Sequence, residues 1–254
     1  MAVDDSEIHT HTLGDGKGIG IDIGLDDLSL SPGALISADI KGNGASGNIG
    51  VDAKNITLSG SQSKETTGIR ALVEQGARGA GGSIRLISDN LDVRNGALIT
   101  ASTKGLGDGG RLVVQANNVM LNGEGNRHFT GLSAQAVSGS QGDTGKLRVN
   151  TNTLEVRDGA VISTGTFSSG NGGELTLEAD RIFVSRQGSE NVTGITSQAN
   201  KDSRGDAGTL TIKANQLDIH EGGKISSSTF GPGQGGRLSV DAGKINLSAD
   251  GAIR

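Results

Sequence analysis

LSLSPGALISA (residues 28–38) returns as LDVRNGALITA (91–101), as LEVRDGAVIST (154–164) and as LDIHEGGKISS (217–227). The starts, Leu28, Leu91, Leu154 and Leu217, are 63 residues apart each time. A period this regular marks a solenoid, whose function belongs to an extended surface more often than to a pocket. Within the quoted stretch Leu28 and Leu30 correspond to Leu91 and Val93, to Leu154 and Val156, and to Leu217 and Ile219. Between each pair stands a polar residue, Ser29, Asp92, Glu155 or Asp218. That is the period-two pattern of a strand with one buried and one wet face.

Working outward, the unit contains five more apolar alternations. Ala34 and Ile36 repeat as Ala97 and Ile99, Ala160 and Ile162, then Gly223 and Ile225, with Leu35, Leu98, Val161 and Lys224 between them. The lysine turns that side outward, so the other three predict a discontinuous apolar line for lateral packing. Ile49, Val51 and Ala53 open a third strand, Ile56 and Leu58 a fourth, Ile69 and Ala71 a fifth, Ile84 and Leu86 a sixth. Each recurs at the same offset, and the sixth extrapolates back to Ile21 and Ile23. Strand starts spaced by about 7 or 14 residues predict three coils of about 21 residues per unit. No 3.6-residue period is sustained, so the fold class is all-β, a parallel β-helix solenoid. About 12 coils at roughly 4.8 Å would make a rod on the order of 58 Å long. Residues 1–17 form a poorly repeated segment, and 18–254 comprise units 28–90, 91–153 and 154–216 with a partial unit 217–254.

Composition agrees. The chain has four Phe, no Trp and no Tyr, too few aromatics for an ordinary globular core of 254 residues, and 44 glycines without a collagen period. Its 23 basic and 28 acidic residues are interspersed, which predicts neither nucleic-acid binding nor a membrane patch. There is no cysteine, and no apolar run is long enough for membrane insertion. MAVDDSEIHTHTLGDGKG (1–18) lacks the basic start and apolar segment of a signal peptide, and LSADGAIR (247–254) stops partway through a unit. The chain therefore reads as a piece of something longer, with end strands prone to end-to-end or lateral self-association.

Glycine clusters mark the corners. GNGASGN (42–48), GLGDGG (105–110), SSGNGG (168–173) and GPGQGG (231–236) occupy one, and Gly82, Gly145 and Gly208 predict another. Thr67-Gly68, Thr130-Gly131 and Thr193-Gly194 mark a third. Just before them the units differ most, at 61–65, 123–128 and 187–191, which makes these the loops to touch a partner.

GALITASTKGLGDGGRLVVQANNVMLNG (96–123) and GAVISTGTFSSGNGGELTLEADRIFVS (159–185) resemble the passenger repeats of cyanobacterial filamentous-haemagglutinin-like exoproteins of the two-partner secretion type. The resemblance covers roughly residues 18 to 254. It implies a right-handed β-helix, export of the full-length protein through an outer-membrane transporter, and an adhesive or structural role at the cell surface or outside the cell. A glycan or another cell-surface ligand is the implied partner.

No catalytic, cofactor-binding or metal residue stands out. Asp92, Glu155 and Asp218 recur at one register and read as a solvated face; a polysaccharide-degrading or carbohydrate-binding β-helix is the alternative. Asp108 in GLGDGG resembles a calcium-roll residue but lacks the nine-residue period, and Asn171 and Gln234 replace it elsewhere. His9 and His11 point the same way from a polar terminus, without a third ligand, while His128 and His220 read as isolated and solvent-facing. Arg204-Gly205-Asp206 spells an adhesion tripeptide but aligns with Gln141-Gly142-Asp143, so turn chemistry explains it. Phe167 and Phe230 occupy matched places beside a corner.

Overall fold

The computed structural model describes residues 2–3, 6–61, 66–124 and 126–254. Every paired strand in it is parallel, and the strands form two nine-stranded sheets. Sheet A stacks Ala2–Val3, Ile21–Leu30, Ile49–Ser59, Ser83–Arg94, Arg111–Asn122, Lys146–Arg157, Glu174–Ser185, Thr209–His220 and Arg237–Leu247 in chain order. Sheet B stacks Glu7–Thr12, Leu35–Ile40, Gly68–Arg70, Leu98–Thr100, Thr130–Ser133, Ala160–Ser163, Gly194–Thr196, Lys224–Ser226 and Ala252–Ile253. The chain visits the sheets alternately, so each pass lies on the one before, as in a solenoid. Pairing reaches back to Ala2–Val3 and Glu7–Thr12, ahead of Gly18.

The register corrects the coil length. Asp27 pairs with Asn55, 28 residues on, and Asn55 with Asn90, 35 residues on. The alternation continues along sheet A, so a 63-residue unit divides into two passes of 28 and 35 residues instead of three of about 21. Nine strands per sheet span roughly 38 Å, shorter than the three-coil reading. The physical reason lies in the long strands. Ile49–Ser59 runs unbroken through what the spacing separates into a third and a fourth strand, because Lys54 and Asn55 both face solvent between buried Ala53 and buried Ile56. Two consecutive outward residues bend a strand and reset its alternation without ending it. The sixth strand of one unit joins the first of the next in the same way, as Ser83–Arg94.

Inward side chains of both sheets share one apolar core, in which Leu28, Ile36, Ile56, Ile99, Leu154 and Ile225 are at most 1 % exposed. Small aliphatic residues suffice because the sheets are narrow and the backbone closes on itself through neighbouring passes. A third line of single bridges links Ile40, Val73, Thr103, Ala136, Thr166, Ala199 and Thr229.

The glycines expected at two corners belong to one. Gly47, Gly82, Gly110, Gly145, Gly173, Gly208 and Gly236 form a single column, and so do Gly107, Gly142, Gly170 and Gly205. A Cβ on Gly142 would lie 2.1 Å from the carbonyl oxygen of Gly107, so successive backbones stack with no room for a side chain. The Leu35 line is also corrected. Leu35 is buried, Leu98 and Val161 are half-buried, and Gly68, Gly131 and Gly194 interpose between them.

Candidate functional site

From Ile21–Leu30 to Thr209–His220, the corners leaving the long strands alternate between two forms. Short connections of two to four residues follow Leu30, Arg94, Arg157 and His220, whereas seven or eight residues follow Ser59, Asn122 and Ser185. The short form is a tight turn. Asn95 and Gly96 both have positive φ (52° and 87°), and Ala97 N–H donates to the Arg94 carbonyl, a type I′ turn. The long form contains the three variable segments, so all of them fall in the same kind of connection, on every second pass. Of these, residues 62–65 and 125 lie outside the described residues.

The loops stack on one another across the turns between them. Buried Asn126 donates through Nδ2 to the Ser61 carbonyl (2.9 Å) and to Asn95 Oδ1 (2.9 Å), while Asn191 Nδ2 donates to the Asn126 carbonyl (2.7 Å). A Cβ on Gly96 would sit 2.8 Å from Asn126 Nδ2, so the small turn residue gives the loop its seat. Beneath, the threonines of the Thr-Gly pairs lock the corner. Thr67, Thr130 and Thr193, all fully buried, accept from the N–H of Gly33, Gly96 and Gly159 at 2.9, 2.8 and 2.7 Å. Asn126 and Asn191 are 65 residues apart. Superposition at 63 hides their equivalence.

Asp92, Glu155 and Asp218 are two passes apart, about 9.6 Å along the rod, with Met120, Phe183 and Asn246 in the passes between and after them. Each is partnered locally: Asp92 accepts from Arg94, Glu155 from Arg157 Nε (2.8 Å), Asp218 from Gln216 Nε2 (2.7 Å) and Asn246. Burial raises the Asp92 pKa above the ordinary carboxylate value, against the pull of Arg94. The Arg157 guanidinium also lies 4.5 Å from the Phe183 ring centroid. These three carboxylates are half-buried or buried and each has a side-chain partner, so the column is not simply a solvated face.

At the glycine corner, side chains cap the backbone of the following pass. Asp108 Oδ1 accepts from Asp143 N–H, Asp143 from Asn171, Asn171 from Asp206, and Asp206 from Gln234, at 2.7–3.1 Å. Asn171 preserves the acceptor that aspartate supplies. Asp206 of the Arg-Gly-Asp tripeptide is thus one rung of a ladder, and Gly205 belongs to the glycine column. Among the described residues no group of three or more His, Asp or Glu is placed to hold a metal ion.

His9 and His11 share a side of Glu7–Thr12, with ring centroids 4.8 Å apart, on a paired strand instead of a frayed terminus. His11 Nε2 lies 4.0 Å from Asp39, whose side chain is fully buried. Burial raises the Asp39 pKa, opposed by Arg70, which donates to it through Nε and Nη2 at 2.8 Å; Leu72 N–H adds a third bond. Burial, then Lys41, lowers the His11 pKa. Sequence reasoning missed this ion pair, although a signal existed: Asp39 and Arg70 stand where later units have Ser102 and Ser133. His128 is exposed, whereas His220 is half-buried against Phe183 and bonded to Ser248. Phe167 and Phe230 project beside the third line of bridges, 40 % and 58 % exposed.

A second surface was absent from the sequence reading. Where the long strands bend, the outer face of sheet A folds into an open crease of about 580 Å³, lined by Asn150, Asn152, Glu178, Asp180, Lys213 and Asn215, with Asp241 at one end. Glu178 accepts from Arg148 (3.0 Å) and Asp180 from Asn215 (3.0 Å).

The sequence matches no protein-family model, no curated protein and no solved structure.

Proposed function

We propose that the chain is a right-handed parallel β-helix serving as a structural or adhesive rod segment of a secreted or cell-surface exoprotein of the filamentous-haemagglutinin-like kind, without catalysis. The observation that carries this reading is the uniformity of the bonding scheme. Glycine columns run the length of the stack, the threonine locks join every second pair of passes, and the Asp–Asn ladder joins the five passes from Asp108 to Gln234. A fold built by repetition supplies length and a periodic surface at low sequence cost. The motifs quoted above from residues 96–123 and 159–185 support the family assignment, and with it export of the full-length protein through an outer-membrane transporter.

The test is surface accessibility in the native host. Antibody raised against the chain should label intact cells or the culture medium, and external protease should remove the cell-bound signal. Labelling only after lysis would sink the exoprotein reading.

A further inference from the structure

Many outward polar residues on sheet A are tied to a neighbouring pass. Lys54 pairs with Asp26 (2.7 Å), Asn117 donates to Asp89 (2.9 Å), and Asn55, Asn90 and Asn118 form a ladder from Asp27. Others, such as Asp22, Asp52 and Arg85, are not, and the crease gathers four residues of this second kind. Asn150, Asn152, Lys213 and Asp241 all line it, and among the described residues none of their side chains has a hydrogen-bond or ion-pair partner. Two free amides, one ammonium and one carboxylate therefore converge on a common groove that crosses four adjacent strands, about 14 Å along the stack.

We infer that this crease binds a linear neutral glycan, laid along the rod axis across the strands from Lys146–Arg157 to Arg237–Leu247. Each free amide offers a donor and an acceptor, and a carboxylate accepts from paired hydroxyls; together they match a ligand whose every residue presents both. The volume lies in the range of ligand sites. Charge selects the class: Glu178, Asp180 and Asp241 outnumber Lys213, so a polyanionic glycan is repelled. The strand spacing suits a polymer, because a polar side chain returns in register at each pass, as Asn150, Glu178, Lys213 and Asp241. The inference gives the adhesive reading a ligand class and rests on it for biological meaning, but binding by the purified chain stands or falls independently of export.

The experiment is calorimetric titration of the purified chain with neutral hexasaccharides of glucose, mannose, galactose and N-acetylglucosamine, with oligogalacturonate as the acidic counterpart. At least one neutral series should bind and the acidic one should not. The Asn150→Ala/Asn152→Ala double variant should weaken binding by about tenfold or more, the effect of losing one to two hydrogen bonds, at an unchanged circular dichroism spectrum. Val192→Ser, on the loop corner, should leave affinity unaltered. Failure of every neutral series, tighter binding of the acidic oligomer, or sensitivity to Val192→Ser with indifference to the double variant would each overturn the assignment. Release of new reducing ends would replace binding with glycan degradation.

Discussion

Each long strand is entered through one kind of corner and left through another. On entry, backbone lies directly on backbone: the missing Cβ of Gly107 would be 2.1 Å from the Gly79 oxygen, and that of Gly142 equally close to Gly107. On exit, tight turns alternate with loops of seven or eight residues, held by side chains such as Asn126 and Thr130. The first corner admits one residue type because its neighbours are main chain and cannot yield. The second also stacks backbone at Gly123 and Gly131, but the loop is linked by side chains such as Asn126, so a changed loop needs only a new partner. Variation along this rod is therefore confined to one edge.

The comparison can be broken most readily at the glycine column. Gly142→Val should destabilise the chain by about 4 kcal/mol or more in urea unfolding, since only backbone displacement could relieve the overlap. On the exit corner Gly188→Ala, whose Cβ meets nothing within 4 Å, should cost only about 1 kcal/mol, through its φ of +81°. Comparable losses for the two would erase the distinction. Thr130→Val should cost about 1–3 kcal/mol in the same assay, because it strands the Gly96 N–H beside a buried methyl group. Asn126→Ala should cost about 1 kcal/mol and expose the loop at 123–129 to limited proteolysis, while the glycine corner stays resistant.

The smallest effect is electrostatic. With the folded pKa of His11 held below its ordinary 6.5, the folded chain binds fewer protons than the unfolded chain as the pH falls. Its contribution to stability is full above 6.5 and is lost as the pH drops through the lowered value. His11→Asn should remove that slope from the urea midpoint measured against pH, with Lys41, His9, Asp39 and Arg70 still facing the position.

The columns, the all-β class and the variable loops were legible because strand alternation and the 63-residue period act on every unit alike. Pass length was not, because the bend at Lys54-Asn55 carries neither glycine nor proline and mimics a strand boundary in spacing alone. The merging of the two glycine groups was hidden for the same reason: which glycines stack depends on the pass length. Asp39–Arg70 and the Asn126–Asn191 link depart from the period, and superposition treats departures as noise. The crease was missed because its residues are ordinary polar ones. Only the structure separates Asn117, which is bonded, from Asn152, which is not.

The central claim, that passes of 28 and 35 residues replace coils of about 21, can be tested by disulfide trapping, since the chain has no cysteine of its own. Lys146 and Glu174 are in register on adjacent strands, with their charged groups 3.2 Å apart, whereas Phe167 stands where a 21-residue coil would bring a neighbour. The Lys146→Cys/Glu174→Cys variant should form an intramolecular disulfide rapidly on mild oxidation and the Lys146→Cys/Phe167→Cys variant should not. Rapid closure of the second pair with the first left open would contradict the account.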